Sequence, residues 1–116
     1  MLLPYPTLHY FMSLEQLAKQ QPSVVNALYK YKHEVFKDGA LTIREKEIIA
    51  VAVSTLLKCD ACLEVHAQDA MKQGASKEQL REAMVVAMYL AGPSVMIWSP
   101  ILDKVMQGSL EVKEKA

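Results

Sequence analysis

Residues 41–74 read LTIREKEIIAVAVSTLLKCDACLEVHAQDAMKQG, and the reading of the whole chain turns on them. The stretch holds both cysteines, Cys59 and Cys62, with His66 four positions beyond the second and Glu47 twelve before the first. Positions three and four apart share one face of an α-helix, so Cys59, Cys62 and His66 fall on one stripe if the segment is helical. Two thiols that close can join as a disulfide, and an imidazole beside them can act as a base. Upstream, Ile43, Ile48, Ile49, Val51, Ala52, Val53, Leu56 and Leu57 make the segment apolar nearly all round, which predicts a central helix. Unbroken from Thr42 to Gln73, that helix would far exceed the usual length, so a break is expected near Lys58 to Asp60, with Asp60 capping the next helix.

Working outward, helix signals punctuate the chain. Thr42 with Glu45, Ser13 with Gln16, and Ser76 with Gln79 each have the spacing of a capping box. A short helix after Ser13 should end near Gln20, and Pro22 suits the first turn of a second. Along that second helix Val24, Val25, Leu28, Tyr31 and Val35 recur at helical spacing and predict one buried face. Gly39 is expected to close it in the left-handed conformation. The pattern Cys62, Val65, Ala67, Ala70, Met71 stops at Gly74. The next helix, Lys77 to Ala91, should bury Leu80, Ala83, Met84, Ala87, Met88 and Leu90. Pro93 should open a last helix, kinked or interrupted at Pro100. Residues 1–12 read as an irregular arm and 108–116 as a fraying tail. No stretch alternates with period two, so the fold class is all-α, a helical bundle of about five or six helices in a single domain, 1–116.

Composition narrows the function. Thirteen basic and thirteen acidic side chains cancel, with no run of like charge, which argues against nucleic acid or a membrane surface as partner. An apolar share of 52% is high for so short a chain and points to a homo-oligomer. Pro4 and Pro6 interrupt the N-terminal stretch, so no signal peptide is expected, and the most apolar window, Met84 to Trp98, is too short to span a bilayer. The chain therefore reads as cytoplasmic, where a Cys-x-x-Cys pair serves redox or metal chemistry more often than stapling. A structural zinc site wants four ligands, and Cys59, Cys62 and His66 supply three, so neither a metal nor another cofactor is expected. Lys58 adds positive charge beside Cys59, which favours a thiolate. Glu47 would stand about 22 Å from Cys62 on a straight helix. It can join the site only if the chain turns back between them or a second subunit supplies it.

The pattern Glu47-x(11)-Cys59-x-x-Cys62-x-x-x-His66, with the lead-in LTIREKEIIAVAVS, resembles the alkylhydroperoxidase D-like branch of the carboxymuconolactone decarboxylase family. The resemblance covers about thirty-five residues. It implies an all-helical fold assembled as trimers or hexamers, and a thiol peroxidase or disulfide reductase activity. By the same resemblance Cys62 attacks the peroxide and Cys59 resolves the product as a disulfide. Glu47 and His66 form the proton relay. The chain departs from the pattern at Ala61, where hydroperoxidase members often have a second histidine. That departure leaves a more general thiol oxidoreductase open. The substrate so implied is a hydroperoxide, and the electron donor an unidentified thiol or disulfide partner. Two other readings stand beside this one. The first is a decarboxylase-like acid–base enzyme in which the cysteines are incidental. The second is a non-enzymatic, redox-responsive helical assembly.

Overall fold

The computed structural model describes residues 13–92 and 100–108. They form six helices and no strand among the described residues: α1 Leu14–Gln20, α2 Pro22–Phe36, α3 Ile43–Leu56, α4 Asp60–Lys72, α5 Lys77–Ala91 and α6 Ile101–Gln107. The all-α expectation holds. The chain divides into two compact units, Met1–Lys37 and Asp38–Ala116.

In the first unit α1 packs on α2. Ser13 caps α1 by accepting from the Gln16 backbone N–H at 3.1 Å, and Pro22 occupies the first turn of α2. The predicted buried face of α2 is corrected: Val25 is buried, but Val24, Leu28, Tyr31 and Val35 are exposed. A seven-residue α1 is too short to cover a fifteen-residue partner. The predicted end is corrected as well. Helix α2 stops at Phe36 because Lys37 is already extended, at φ −62° and ψ 154°, so Gly39 need not turn left-handed. Asp38 instead accepts the Ile43 N–H at 2.7 Å, feeding the chain into α3.

In the second unit α3 packs against both α4 and α5, and α6 packs on α4. Thr42 and Glu45 complete their capping box, each side chain accepting the other's backbone N–H at 3.0–3.1 Å. Those bonds from Thr42 hold the Glu45 carboxyl below its ordinary range. Ser76 and Gln79 do the same for α5. At the end of α4, Gly74 takes φ 92°. The Gly74 and Ala75 N–H groups bond back to the Met71 and Ala70 carbonyls at 3.0 and 2.9 Å. This is a Schellman closure, and only glycine adopts its central conformation freely.

The core of this unit joins Val51, Leu63, Ala67, Ala70, Ala75, Leu80, Leu102, Val105 and Met106. Leu63 and Leu80 are fully buried, and truncating either to Ala should cost about 2–5 kcal/mol. Helix α3 is central as expected, packed on both α4 and α5, although not every apolar face of it is buried. Its inward stripe is Glu47, Val51, Ser54 and Thr55, polar but for Val51, while Ile49, Val53 and Leu56 lie exposed on another face. Thr55 remains satisfied by donating to the Val51 carbonyl at 2.8 Å. On α5 the buried residues are Leu80, Ala83 and Ala87, whereas Leu90 is exposed with Val85, Val86 and Tyr89. The part of the last helix expected from Pro93 to Ser99 lies outside the described residues, as do residues 1–12 and 109–116. Helix α6 begins immediately after Pro100. No described helix is long and apolar enough to cross a membrane.

Candidate active site

The break between α3 and α4 makes the site. Lys58 takes φ 52°, a left-handed conformation unusual outside glycine and asparagine, and Leu57 to Cys59 reverse the chain. Backbone bonds pin the reversal, from Lys58 N–H to the Thr55 carbonyl and from Cys59 N–H to the Ser54 carbonyl, each at 3.1 Å. The predicted cap moves by one residue: Cys59, not Asp60, is the N-cap of α4. It sits in extended conformation, and its Sγ accepts the Cys62 N–H at 3.2 Å. Asp60 becomes the first helical residue, an acid at the positive end of the helix.

Cys59 and Cys62 are joined as a disulfide with Cα atoms 5.3 Å apart, inside the range such bonds require. Both are partly buried. When they are reduced, the backbone donors and dipole of the α4 N-terminus favour negative charge at Cys59. Cys62 lies one turn further in, and His66 one turn beyond it on the same face.

The chain reversal lays α4 back along α3 and brings Glu47 to His66. Glu47 Oε2 and His66 Nδ1 are 2.7 Å apart, a direct contact. A carboxylate only accepts, so Nδ1 donates to it. Glu47 is 0% exposed, while the His66 side chain is 19% exposed. The imidazole thus stands between a buried carboxylate and the accessible side of the helix. Sequence-predicted residues therefore fall into two joined pairs, Cys59 with Cys62 at the start of α4, and Glu47 of α3 with His66 of α4.

Asp69 is the site residue that sequence reasoning missed. It is buried at 4% exposure, three residues after His66 and so on the same face. Ligand-capable atoms of Glu47, His66 and Asp69 all lie within 4.8 Å of one another. The available signal was an acid set between Ala67 and Ala70, both fully buried. An acid flanked by core alanines is rare unless it has work inside.

The carboxymuconolactone decarboxylase family model matches residues 22–99, which spans both units of the chain. This chain belongs to the carboxymuconolactone decarboxylase family. Among its relatives, uncharacterized protein 4 of the cox locus of Paracoccus denitrificans is 39% identical over 75 residues, 65% of this chain and 68% of that protein. An uncharacterized protein of Cupriavidus necator is 32% identical over 87 residues, 74% of this chain and 77% of its own length. A carboxymuconolactone decarboxylase family protein from Legionella pneumophila has a similar structure, with TM-score 0.76 at 25% identity over 88% of this chain and 91% of its own. A second, from Thermotoga maritima, gives 0.68 at 21% identity over 90% and 92%. That protein is named as a candidate for an antioxidative response.

Proposed function

We propose that this chain is a thiol-dependent, peroxidase-like oxidoreductase that reduces hydroperoxides through a Cys59–Cys62 disulfide. The observation that carries the reading is the placement of Cys59, Cys62 and His66 on successive turns at the start of α4, with Glu47 of α3 bonded to His66. In the proposed cycle the Cys62 thiolate attacks the peroxide O–O bond, forming a sulfenic acid and releasing the alcohol. Cys59 then attacks the Cys62 sulfur, forming the disulfide and releasing water. An external dithiol returns both thiols and carries the two electrons in. His66 takes the proton from Cys62 at Nε2, with Glu47 holding the ring through Nδ1. The antioxidative candidacy of the Thermotoga protein is consistent with this chemistry. Cytoplasmic thiol reductants supply the donor class it needs.

The test is peroxide consumption with a dithiol reductant, comparing wild type with Cys62→Ser. Turnover should vanish in the variant; equal rates would sink the proposal. The direct Glu47–His66 bond favours one rival, because the pair is complete without either sulfur. In that rival an acid–base decarboxylase-like enzyme works through Glu47 and His66 alone. A double variant, Cys59→Ser with Cys62→Ser, would then keep its activity.

The working unit in this proposal is one domain assembled as a homo-oligomer, a trimer or hexamer. Two apolar faces of the second unit support assembly: Ile49, Val53 and Leu56 on α3, and Val85, Val86, Tyr89 and Leu90 on α5. Tyr89 is 86% exposed, and large apolar side chains exposed together on one helix mark interaction surfaces.

A further inference from the structure

The cluster of Glu47, His66 and Asp69 has a property that thiol chemistry does not use. Two of its members are buried carboxylates from different helices, within 4.8 Å of each other and of one imidazole. Glu47 spends Oε2 on His66, but Oε1, on the same fully buried carboxyl group, has no hydrogen-bond partner among the described residues. A carboxylate oxygen withdrawn from water normally meets a donor or a cation. Its neighbours in the cluster are a second acid and a ring nitrogen, the company a metal ion keeps.

We propose that Glu47, His66 and Asp69 form a binding site for one divalent transition-metal ion of the zinc, manganese or ferrous class. The donor set selects that class. Two carboxylates and one imidazole suit borderline ions, and three protein ligands leave a coordination position for water. Calcium asks for six to eight oxygens, which three side chains do not supply. Ions that prefer sulfur find none here, since both thiols are in the disulfide. Ligand atoms about 2.1 Å from an ion stand at most ~4.2 Å apart, so a spread within 4.8 Å closes by small side-chain rotations. The frame is rigid. Glu47 sits on α3 behind a complete capping box, and His66 and Asp69 are three residues apart on α4, which ends in its Schellman closure. The partial exposure of His66 gives the ion a way in.

This inference does not depend on the peroxidase reading. The two meet at one point: an ion held by His66 and the proton passed to His66 are competing occupants of the same pair.

The experiment uses the full chain oxidised to the disulfide form, checked by intact mass and stripped with a chelator. Closing the disulfide removes the alternative thiol site, Cys59, Cys62 and His66. Titration with zinc chloride, followed by calorimetry, should show one ion per chain. Asp69→Asn should weaken binding by about tenfold or more. The double variant Cys59→Ser with Cys62→Ser should bind as wild type does. No saturable binding by the oxidised wild type overturns the proposal. Binding that survives Asp69→Asn within twofold also overturns it, as would loss of binding in the double cysteine variant. Should Asp69→Asn fail to fold by circular dichroism, cobalt chloride added to wild type decides. Visible bands without a strong sulfur charge-transfer band in the near ultraviolet support nitrogen and oxygen ligation, and a sulfur band refutes it.

Discussion

Replacing His66 by Ala tests the most exacting contact in the protein. In the wild type, Glu47 is fully buried and bonds His66 Nδ1 at 2.7 Å. Removing the ring deletes that donor and strands the carboxylate in a low-dielectric surround. Stranding a buried charge by removing its hydrogen-bonded partner costs about 3–5 kcal/mol. Because the His66 side chain is 19% exposed, the space it vacates opens toward solvent, and water should recover part of that loss. A net destabilisation of about 2–4 kcal/mol follows, less than the roughly 5–15 kcal/mol that holds a typical domain folded. Adding Glu47→Leu removes the stranded group together with its partner, and such double removals are close to neutral. The pair should therefore be strongly non-additive: the double variant recovers to within about 1.5 kcal/mol of wild type. Urea unfolding monitored by circular dichroism, in chelator, measures all four members of the cycle. Should His66→Ala cost under about 1 kcal/mol with the two substitutions simply additive, the buried pair would be no pair at all.

Other outcomes follow from the same geometry. One equivalent of peroxide added to reduced Cys59→Ser should leave one oxygen on Cys62 by mass spectrometry, whereas wild type should lose two hydrogens; oxygen trapped on Cys59 in Cys62→Ser would exchange the two roles. Thr42→Ala removes the cap of α3 and should lower stability by about 1 kcal/mol in urea titration, and no change would mean the capping box is redundant. The bonds to Thr42 hold the Glu45 carboxyl low, so its stabilising contribution is present above the ordinary carboxylate range and is lost as pH falls through the lowered folded value. Acid unfolding of Glu45→Gln should accordingly be less steep than that of wild type. Tyr89→Glu together with Ile49→Asp should shift the mass by light scattering from oligomer to monomer, and a wild-type monomer at micromolar concentration would refute the assembly.

The helix caps were legible in the sequence because they are local. Thr42 with Glu45 and Ser76 with Gln79 need only a spacing of three and the right side chains. The break near Lys58 was legible from length alone. Its details were not, because the choice of Cys59 over Asp60 as cap depends on which residue leaves the helical conformation first. Burial was misjudged where periodicity was trusted as a sign of core. Leu28, Tyr31, Val35, Ile49 and Leu90 all lie on regular apolar stripes, yet all are exposed in this chain. Periodicity says that a face is apolar and does not say what covers it. Conversely Glu47 and Asp69 look like surface acids by residue type. They are buried because α4 folds back over α3, a long-range event that no window of local sequence contains.

The turn at Lys58 has a consequence for how this chain tolerates change in length. Each residue of an α-helix advances its neighbour by about 100°. One residue added to the three that reverse the chain, if α4 keeps its packing distance, swings His66 to a different side of its helix. One residue deleted swings it the other way. The number of residues between Glu47 and Cys59 is thus a physical dimension, the unfolded length of one hairpin arm and its bend. Substitutions inside that span, such as at the exposed Val53 or Leu57, leave the dimension intact, whereas a single-codon insertion there does not. Relatives that vary freely in side chain across this arm but never in length would be obeying the hairpin rather than the chemistry. A relative that did change length should have lost the acid–imidazole contact even with all four residues still in its sequence.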